Sequence, residues 1–228
     1  WQLGVPEDVA NVLTRPIRVC RQTRDHLKEA VVVGKGRSGG AAAVEFANGR
    51  NVDLGVLTEE DRENLDLLDG TIVHRHLRDG DWVLFNRQPT LHRGSMQGHE
   101  VYIHKDRNFK ISLTVTTAYN ADFDGDEMNM HVPQSEAAAA DVQHVMCVQR
   151  NIVDPQSSKP IISFVMDSII TLMLLTRRDC LLDRARAMHL TMGFHFAPKT
   201  MPPPAVRRPT PLWTGKQILS MLIPDDLH

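Results

Sequence analysis

The stretch "YNADFDGDEMNMH", residues 119–131, places three aspartates at every second position and a glutamate directly after them. Carboxylates this close repel one another, so their crowding calls for a positive partner. In an extended segment Asp122, Asp124 and Asp126 share one side, and Gly125 allows the tight bend that brings their oxygens together. Hard divalent cations prefer oxygen ligands. The pattern therefore predicts a metal site formed by these three aspartates.

Two alternatives to a magnesium site are a calcium-binding EF-hand loop and a solvated acidic turn. An EF-hand loop also opens D-x-D-x-D, but it requires glycine at position 6 and glutamate at position 12, where counting from Asp122 gives Glu127 and Pro133. A solvated acidic turn would not be expected to contain the apolar Phe123 or to precede the methionine-rich "EMNMHV". Magnesium serving phosphoryl chemistry fits the stretch best.

A second dense stretch, "LFNRQPTLHRGSMQGH", covers residues 84–99. Arg87 is a fixed cation that can fork onto phosphate or hydroxyl oxygens, and Pro89 stiffens the turn that would aim it. Taken alone, Arg87 could equally be a strand-end arginine with structural bonds.

Composition sets the broad class. The chain has 228 residues, 42% of them hydrophobic and 24% charged, which is enough for a core and for one or two domains. Its net charge of −2 gives no overall basic field, so a nucleic-acid role must depend on local sites or on partner chains. The three scattered cysteines have no C-x-x-C spacing, so we expect neither a disulfide framework nor a zinc site.

Local patterns predict a β-rich body followed by helices. The strands are predicted at 41–46, 51–56, 71–77, 81–86, 99–104 and 110–119. The helices are predicted at 23–33, 61–68, 133–148, 160–176 and from Thr214 onward. The apolar run at 160–176 contains Asp167 and is short for a membrane span, so we interpret it as a buried helix. We expect two domains, 1–150 and 151–228, and a proline-rich connector at 197–211.

Two further patterns carry less weight. The glycines Gly34, Gly36 and Gly39 match a dinucleotide-binding G-x-G-x-x-G, but an Asn-Gly hairpin follows too soon for a crossover helix. Five histidines crowd the β-rich region without zinc-type partners, so most are expected to be packing or solvated residues: His74, His76, His92, His99 and His104.

Together the two dense stretches resemble the largest subunit of multisubunit DNA-dependent RNA polymerases. "NADFDGDEMNMHVPQSEAAAADV" is similar to the active-site signature of that family, and "VLFNRQPTLHRGSM" is similar to the loop that precedes it. The resemblance extends from "LGVP" through "NIVDPQSSKPI" to "PLWTGKQILSMLIP". Its details favour the eukaryotic second polymerase or large DNA viruses, which implies a nuclear location for a cellular protein, and a virion or host-cell compartment for a viral one.

The resemblance implies a mixed α+β fold, with a double-psi β-barrel carrying the aspartate loop at 120–126 and the beginning of a pore domain after residue 150. It implies that Asp122, Asp124 and Asp126 are the catalytic residues that hold Mg²⁺. The substrate-binding residues that it implies are Arg87 and Asn120 at the ribose of the incoming nucleotide, Gln88 in the same loop, and His92 supporting that loop. The sequence departs from the family pattern at "SMQGH" and at Met166, which replaces the usual glutamine.

The implied reaction is Mg²⁺-dependent addition of ribonucleotides to an RNA 3′ end on a DNA template. This chain would hold one of two ions, and the second would arrive with the nucleotide and be held partly by the second-largest polymerase subunit. We therefore expect a catalytic fragment that is inactive alone and needs other polymerase subunits. The alternatives are an RNA-dependent RNA polymerase barrel, against which "FNRQPTLH" and "DPQSSKP" argue, and a non-catalytic cation-binding structural fragment.

Overall fold

The computed structural model describes residues 1–165, 167–193 and 201–223. Met166 therefore lies outside the described residues, as do positions 197–200 of the connector. The chain forms two compact units, Trp1–Ser163 and Phe164–His228. Both units contain helices and strands, so the expected mixed α+β class is confirmed.

The first unit contains most of the strands. They are β1 (Gln2–Pro6), β2 (Thr14–Arg18), β3 (Ala41–Glu45), β4 (Asn51–Asp53), β5 (Ile72–His76), β6 (Trp82–Asn86), β7 (Met96–His104) and β8 (Asn129–His131). Its helices are α1 (Glu7–Ala10), α2 (Arg24–Val33), α3 (Glu59–Glu63), α4 (Thr116–Tyr119) and α5 (Glu136–His144).

One four-stranded sheet, in the order β1-β7-β6-β8, supports the aspartate loop. β1 runs parallel to β7, while β6 is antiparallel to both β7 and β8. Phe85 in β6 is fully buried and packs in one core cluster with Leu3, Val101 and Tyr119. This arrangement is consistent with the double-psi barrel that the resemblance implies.

The second sheet has the order β2-β5-β3-β4 and a separate core that includes Val31 and Val73. The predicted α2 ends at Gly34, whose φ of 85° suits glycine at a helix C-terminus. The predicted hairpin is confirmed as β3 and β4. Because β3 begins at Ala41, directly after the glycine-rich segment, the dinucleotide motif lacks the crossover helix that it needs.

The strand predicted at 110–119 is wrong. Residues Leu113–Val115 form a 3₁₀ helix that continues into α4. Val115, Ala118 and Tyr119 are all buried, and their spacing of three and four residues places them on one helical face. Burial of that face outweighs the strand preference of the β-branched residues in "LTVTT".

The helix predicted at 61–68 begins earlier and is shorter. α3 covers Glu59–Glu63, because the Thr58 side chain accepts a hydrogen bond from the Asp61 backbone N–H and fixes the start of the helix. The helix predicted at 133–148 is confirmed over a shorter range as α5, with Ser135 as its N-cap.

In the described part of the second unit, most of the regular secondary structure is helical. It contains α6 (Ser168–Leu175), β9 (Leu181–Leu182), α7 (Arg184–Thr191), β10 (Trp213–Thr214) and α8 (Gly215–Ser220). As predicted, the last helix begins near Thr214, which forms a capping box with Gln217. Residues 201–211, the described part of the connector, form no helix or strand. Val206 forms an isolated β-bridge with Leu212.

The buried helix predicted at 160–176 is wrong in extent and in burial. α6 begins only at Ser168, and none of its residues is buried by the described part of the chain. Ile169 and Met173 are each 59% exposed. A helix this apolar on all sides usually needs covering surface around it, which the described residues do not supply. No helix among those residues is long and apolar enough to cross a membrane.

Candidate metal centre

The aspartate loop connects α4 to β8, and its start is set by Asn120. This residue has φ 49° and ψ 45°, a left-handed conformation in which asparagine is enriched among non-glycine residues. Its backbone N–H donates to the Thr117 carbonyl at 3.2 Å, which closes the last turn of α4. The chain therefore leaves the helix at Asn120 and reaches Asp122 two residues later.

Tyr119 anchors this exit from the buried side. Its hydroxyl lies 2.7 Å from Nε2 of His99, whose Nδ1 lies 3.0 Å from the Trp1 carbonyl oxygen. Because a carbonyl only accepts, Nδ1 carries the hydrogen and Nε2 accepts the tyrosine proton. Burial lowers the pKa of His99 to about 4, so the ring is neutral near pH 7 and the tautomer stays fixed.

Asp122, Asp124 and Asp126 converge as predicted. One carboxylate oxygen from each lies within 4.8 Å of the others, and all three residues are exposed. Gly125 has a φ of 126°, which a residue with a side chain rarely adopts, and it makes the bend between the second and third aspartates. With Mg–O distances of about 2.1 Å, opposite ligands of an octahedral ion are about 4.2 Å apart. Adjacent ligands are about 3.0 Å apart, and at most one pair among three ligands can be opposite, so the three oxygens must draw closer together to hold one small, hard cation.

The three carboxyl groups have different electrostatic surroundings. The hydrogen bond and negative charge of Asp122 raise the pKa of Asp124 above its usual value. A hydrogen bond from Arg87 lowers the pKa of Asp126. The first two aspartates thus face mutual repulsion that a cation would relieve, whereas the third already has a cationic partner.

The cationic partner of Asp126 is Arg87, from the stretch at 84–99. Arg87 donates from Nε to Oδ2 of Asp126 at 2.8 Å and from a terminal nitrogen, Nη2, to Oδ1 at 3.2 Å. This bond raises the pKa of Arg87 further above its already high value. The Asp122 backbone N–H also donates to Oδ2 of Asp126, at 3.2 Å. Both oxygens of Asp126 are therefore engaged.

Strand pairing explains why Arg87 meets the loop. Asn86, the last residue of β6, is paired with Asn129, the first residue of β8. The loop at 87–95, here called the arginine loop, therefore leaves the sheet where the aspartate loop enters it. The buried Asn86 amide donates to the Thr90 hydroxyl at 2.8 Å and to the Ser95 carbonyl at 3.0 Å. These bonds close the arginine loop on itself.

The other predicted substrate residues lie in or beside these two loops. Gln88 is exposed next to Arg87, and Asn120 is exposed at the start of the aspartate loop. His92 accepts a hydrogen bond at Nδ1 from the Gly94 N–H at 3.1 Å and caps the 3₁₀ turn Arg93–Ser95. Contact of these residues with a nucleotide stays a prediction.

The sequence does not indicate that Asn86 and Tyr119 support the site. It also does not indicate the role of His99 as the hydrogen-bond partner of Tyr119. The spacing of Val115, Ala118 and Tyr119 was a readable signal for a buried helical turn at the start of the loop. The pairing of His99 with Tyr119 had no local signal, because 20 residues separate them.

Two other histidines lie in the packing of the first unit, as predicted for most of them. His76 is buried, with Nδ1 donating to the Leu13 carbonyl at 3.2 Å and Nε2 accepting from the Gly36 N–H at 3.1 Å. His104 is also buried, and its Nδ1 accepts from the Asp106 N–H at 3.1 Å.

Comparison with known families gives two matches that together cover nearly the whole chain. Residues 1–148 match a family described as RNA polymerase Rpb1, domain 2. Residues 151–228 match a family described as RNA polymerase Rpb1, domain 3. The aspartate loop and the arginine loop both lie in the first match.

Proposed function

Because this chain belongs to the Rpb1 family of RNA polymerase largest subunits, we propose that its aspartate loop holds the catalytic Mg²⁺ of RNA synthesis. The family consists of subunits of DNA-directed RNA polymerases, nucleotidyltransferases that carry out transcription. They work in multisubunit complexes with DNA and RNA.

The convergence of three carboxylate oxygens within 4.8 Å carries this proposal. When bound, Mg²⁺ supplies positive charge that lowers the pKa of the RNA 3′ hydroxyl and stabilises the transferring phosphate. The contribution of the chain is positional. Asn120 turns the backbone into the loop, Gly125 bends it, and the buried Tyr119 fixes its start.

Arg87 is proposed to bind the ribose of the incoming nucleotide, with Asn120 beside it and with Gln88 and His92 shaping the loop. The ion pair uses Nε and one terminal nitrogen of the guanidinium, so the second terminal nitrogen lies outside the pair. A planar guanidinium on a braced loop is suited to hydroxyl groups at a fixed position. These contacts would favour ribonucleotides over deoxynucleotides.

The site is incomplete without partners. Magnesium requires six ligands in a near-octahedral arrangement and usually takes several from water and substrate phosphates. We propose that the second-largest polymerase subunit, the RNA end and the nucleotide complete the centre. Co-purification of that subunit with a full-length largest subunit of this sequence would test the assembly. The proposed location is the nucleus for a cellular protein, and the virion or a host compartment for a viral one.

The metal assignment is tested by adding Mn²⁺ to the ¹⁵N-labelled 228-residue chain and mapping paramagnetic broadening of its amide signals. We expect broadening to centre on residues 122–126, to disappear in Asp122→Ala/Asp124→Ala and to persist in Glu127→Gln. Glu127 is the matched control because it is adjacent and acidic but lies outside the converging group. Broadening that survives in the double variant would overturn the proposal.

A further inference from the structure

We propose that Arg87 is a built-in competitor for the metal site. In the metal-free chain its guanidinium occupies Asp126, and metal binding displaces it toward the position where a nucleotide binds. This inference rests on the proposed function, since it assumes that a cation binds the three aspartates. It adds that metal binding and substrate binding are coupled through one side chain.

The first support is that Asp126 has no unengaged carboxylate oxygen. Arg87 reaches both oxygens, at 2.8 and 3.2 Å, and the Asp122 N–H takes a further position on Oδ2. A magnesium ion must approach along a lone pair of one of these oxygens and tolerates little departure from octahedral geometry. The three donors take three of the about four lone-pair positions of the carboxylate, which leaves the ion one position on Oδ1 beside the Arg87 donor. An ion bound there crowds the guanidinium.

The second support is electrostatic. The arginine and the ion are both cations, and they would share a single carboxylate within a few ångströms of each other. Among the residues that the structure describes, Asp126 is the one of the three aspartates that forms an ion pair with an arginine. An entering ion is therefore drawn to the first two aspartates and must compete for the third.

The third support is that a displaced Arg87 cannot go far. Its backbone N–H donates to the Ser95 carbonyl at 3.2 Å, and the preceding Asn86 is held in β6 and by Thr90. Only the side chain is free to swing. Its donors then become available for another oxygen acceptor close to the ion, such as a ribose hydroxyl. Because linkage is reciprocal, an acceptor that draws Arg87 away also strengthens metal binding.

The experiment compares Mn²⁺ affinity, measured by electron paramagnetic resonance, in the unaltered 228-residue chain and in Arg87→Gln. Exposed or half-exposed ion pairs are weak, so we expect Arg87→Gln to bind Mn²⁺ more tightly by roughly three- to tenfold. Arg93→Gln is the matched control. It removes the same charge from the same loop, but Arg93 donates to the Val153 carbonyl. It should leave the affinity within about twofold of the unaltered chain.

A second measurement distinguishes the two-nitrogen hydrogen bond of Arg87 to Asp126 from the effect of the positive charge alone. In the unaltered chain the Arg87 Nε–H signal should shift as Mg²⁺ is added, because its carboxylate acceptor is lost. Arg87→Lys keeps the charge without the fork and should bind Mn²⁺ with intermediate affinity. An Arg87→Gln affinity no higher than that of Arg93→Gln, or an Nε–H signal unmoved by saturating Mg²⁺, would overturn the inference while the metal site itself stands. If Mn²⁺ does not broaden the amide signals of residues 122–126 in the unaltered chain, the proposed function itself is overturned.

Discussion

At the scale of single residues, the three aspartates are not equivalent before metal binds. Asp126 is paired with a guanidinium, while Asp122 and Asp124 face each other with the pKa of Asp124 raised by its neighbour. A bound cation would therefore favour the ionised form of Asp124.

We expect Asp124→Asn to abolish RNA synthesis in the assembled polymerase while leaving the fold intact. The amide keeps the shape of the side chain but removes the charge that binds the ion, so the transition state loses its electrostatic support. RNA extension on a DNA template measures the activity, and circular dichroism checks the fold. Glu127→Gln, with the same change one residue beyond the loop, should remain active. Near-normal extension by Asp124→Asn would show that another group holds the ion.

Arg87→Ala should reduce the selection of ribonucleotides over deoxynucleotides by about tenfold or more, because it removes a forked donor from the sugar. Rates of single-nucleotide addition with paired ribo- and deoxynucleotides measure the ratio. Arg93→Ala is the control, since its guanidinium is engaged with the Val153 carbonyl. If Arg87→Ala keeps full discrimination between the two sugars, Arg87 does not bind the ribose and its role is the structural ion pair with Asp126.

At the scale of helices and strands, the site depends on pairings that join distant parts of the chain. The metal site could be predicted from the sequence because its three aspartates lie within five consecutive residues. The Arg87 pair with Asp126 could not, because it requires β6 and β8 to pair across about 40 residues of intervening chain. Non-local pairing has no signature in local composition, so the sequence indicated Arg87 as important without indicating its partner.

The errors in the predicted elements have a common cause. The strand predicted at 110–119 and the buried helix predicted at 160–176 were inferred from residue preferences and apolar content. In the first case Val115 and Tyr119 gain more from burial on a helical face than from extension. In the second case burial depends on what surrounds the segment, which residue preferences do not specify. Predictions supported by turn and cap residues, such as Gly34, Ser135 and Thr214, were confirmed.

The two sheets of the first unit are joined by an ion pair between Arg75 in β5 and Asp81 just before β6. Both terminal guanidinium nitrogens of Arg75 donate to the carboxylate, at 2.7 and 2.6 Å, and the Arg78 N–H donates at 2.8 Å. The side chains of Arg75 and Asp81 are only 10% and 7% exposed. Asp81→Asn would leave Arg75 buried without its counter-charge, which typically reduces stability by about 3–5 kcal/mol.

The Asp81→Asn prediction is measured by urea unfolding, with Asp69→Asn as the control. Asp69 pairs with Arg24 at the surface, so its loss should change the free energy of unfolding by about 1 kcal/mol or less. Equal effects of the two substitutions would show that the buried pair adds nothing to the junction of the sheets.

The same pair predicts a pH dependence. Burial opposes ionisation of Asp81, but the bonds and charge of Arg75 outweigh it, so its pKa in the folded chain is lowered. Its contribution is therefore complete above the unfolded pKa of about 3.9 and is lost as pH falls through the folded value. The difference in unfolding free energy between the unaltered chain and Asp81→Asn should shrink below about pH 4. A difference that stays constant down to pH 2 would contradict the assignment.

At the scale of the whole molecule, the described surface exposes large apolar side chains on α6 and in the aspartate loop. Ile169, Ile170, Met173 and Leu174 of α6 are each between 49% and 59% exposed. Phe123 inside the aspartate loop is 64% exposed. Apolar groups clustered on one helix and beside a proposed catalytic ion are typical of surfaces that other parts of an assembly cover.

We expect the isolated 228-residue chain to bind Mg²⁺ weakly, not to polymerise nucleotides and not to bind duplex DNA tightly. Three carboxylates without substrate phosphates leave about half of the coordination positions to water. Tight non-specific DNA binding comes mainly from cationic side chains that neutralise phosphates, and this chain has a net charge of −2. The test is template-directed nucleotide incorporation by the purified chain, with Asp122→Ala as the control. Robust incorporation that the control loses would show that the aspartate loop works without partner subunits, because contamination by another polymerase would persist in the Asp122→Ala preparation.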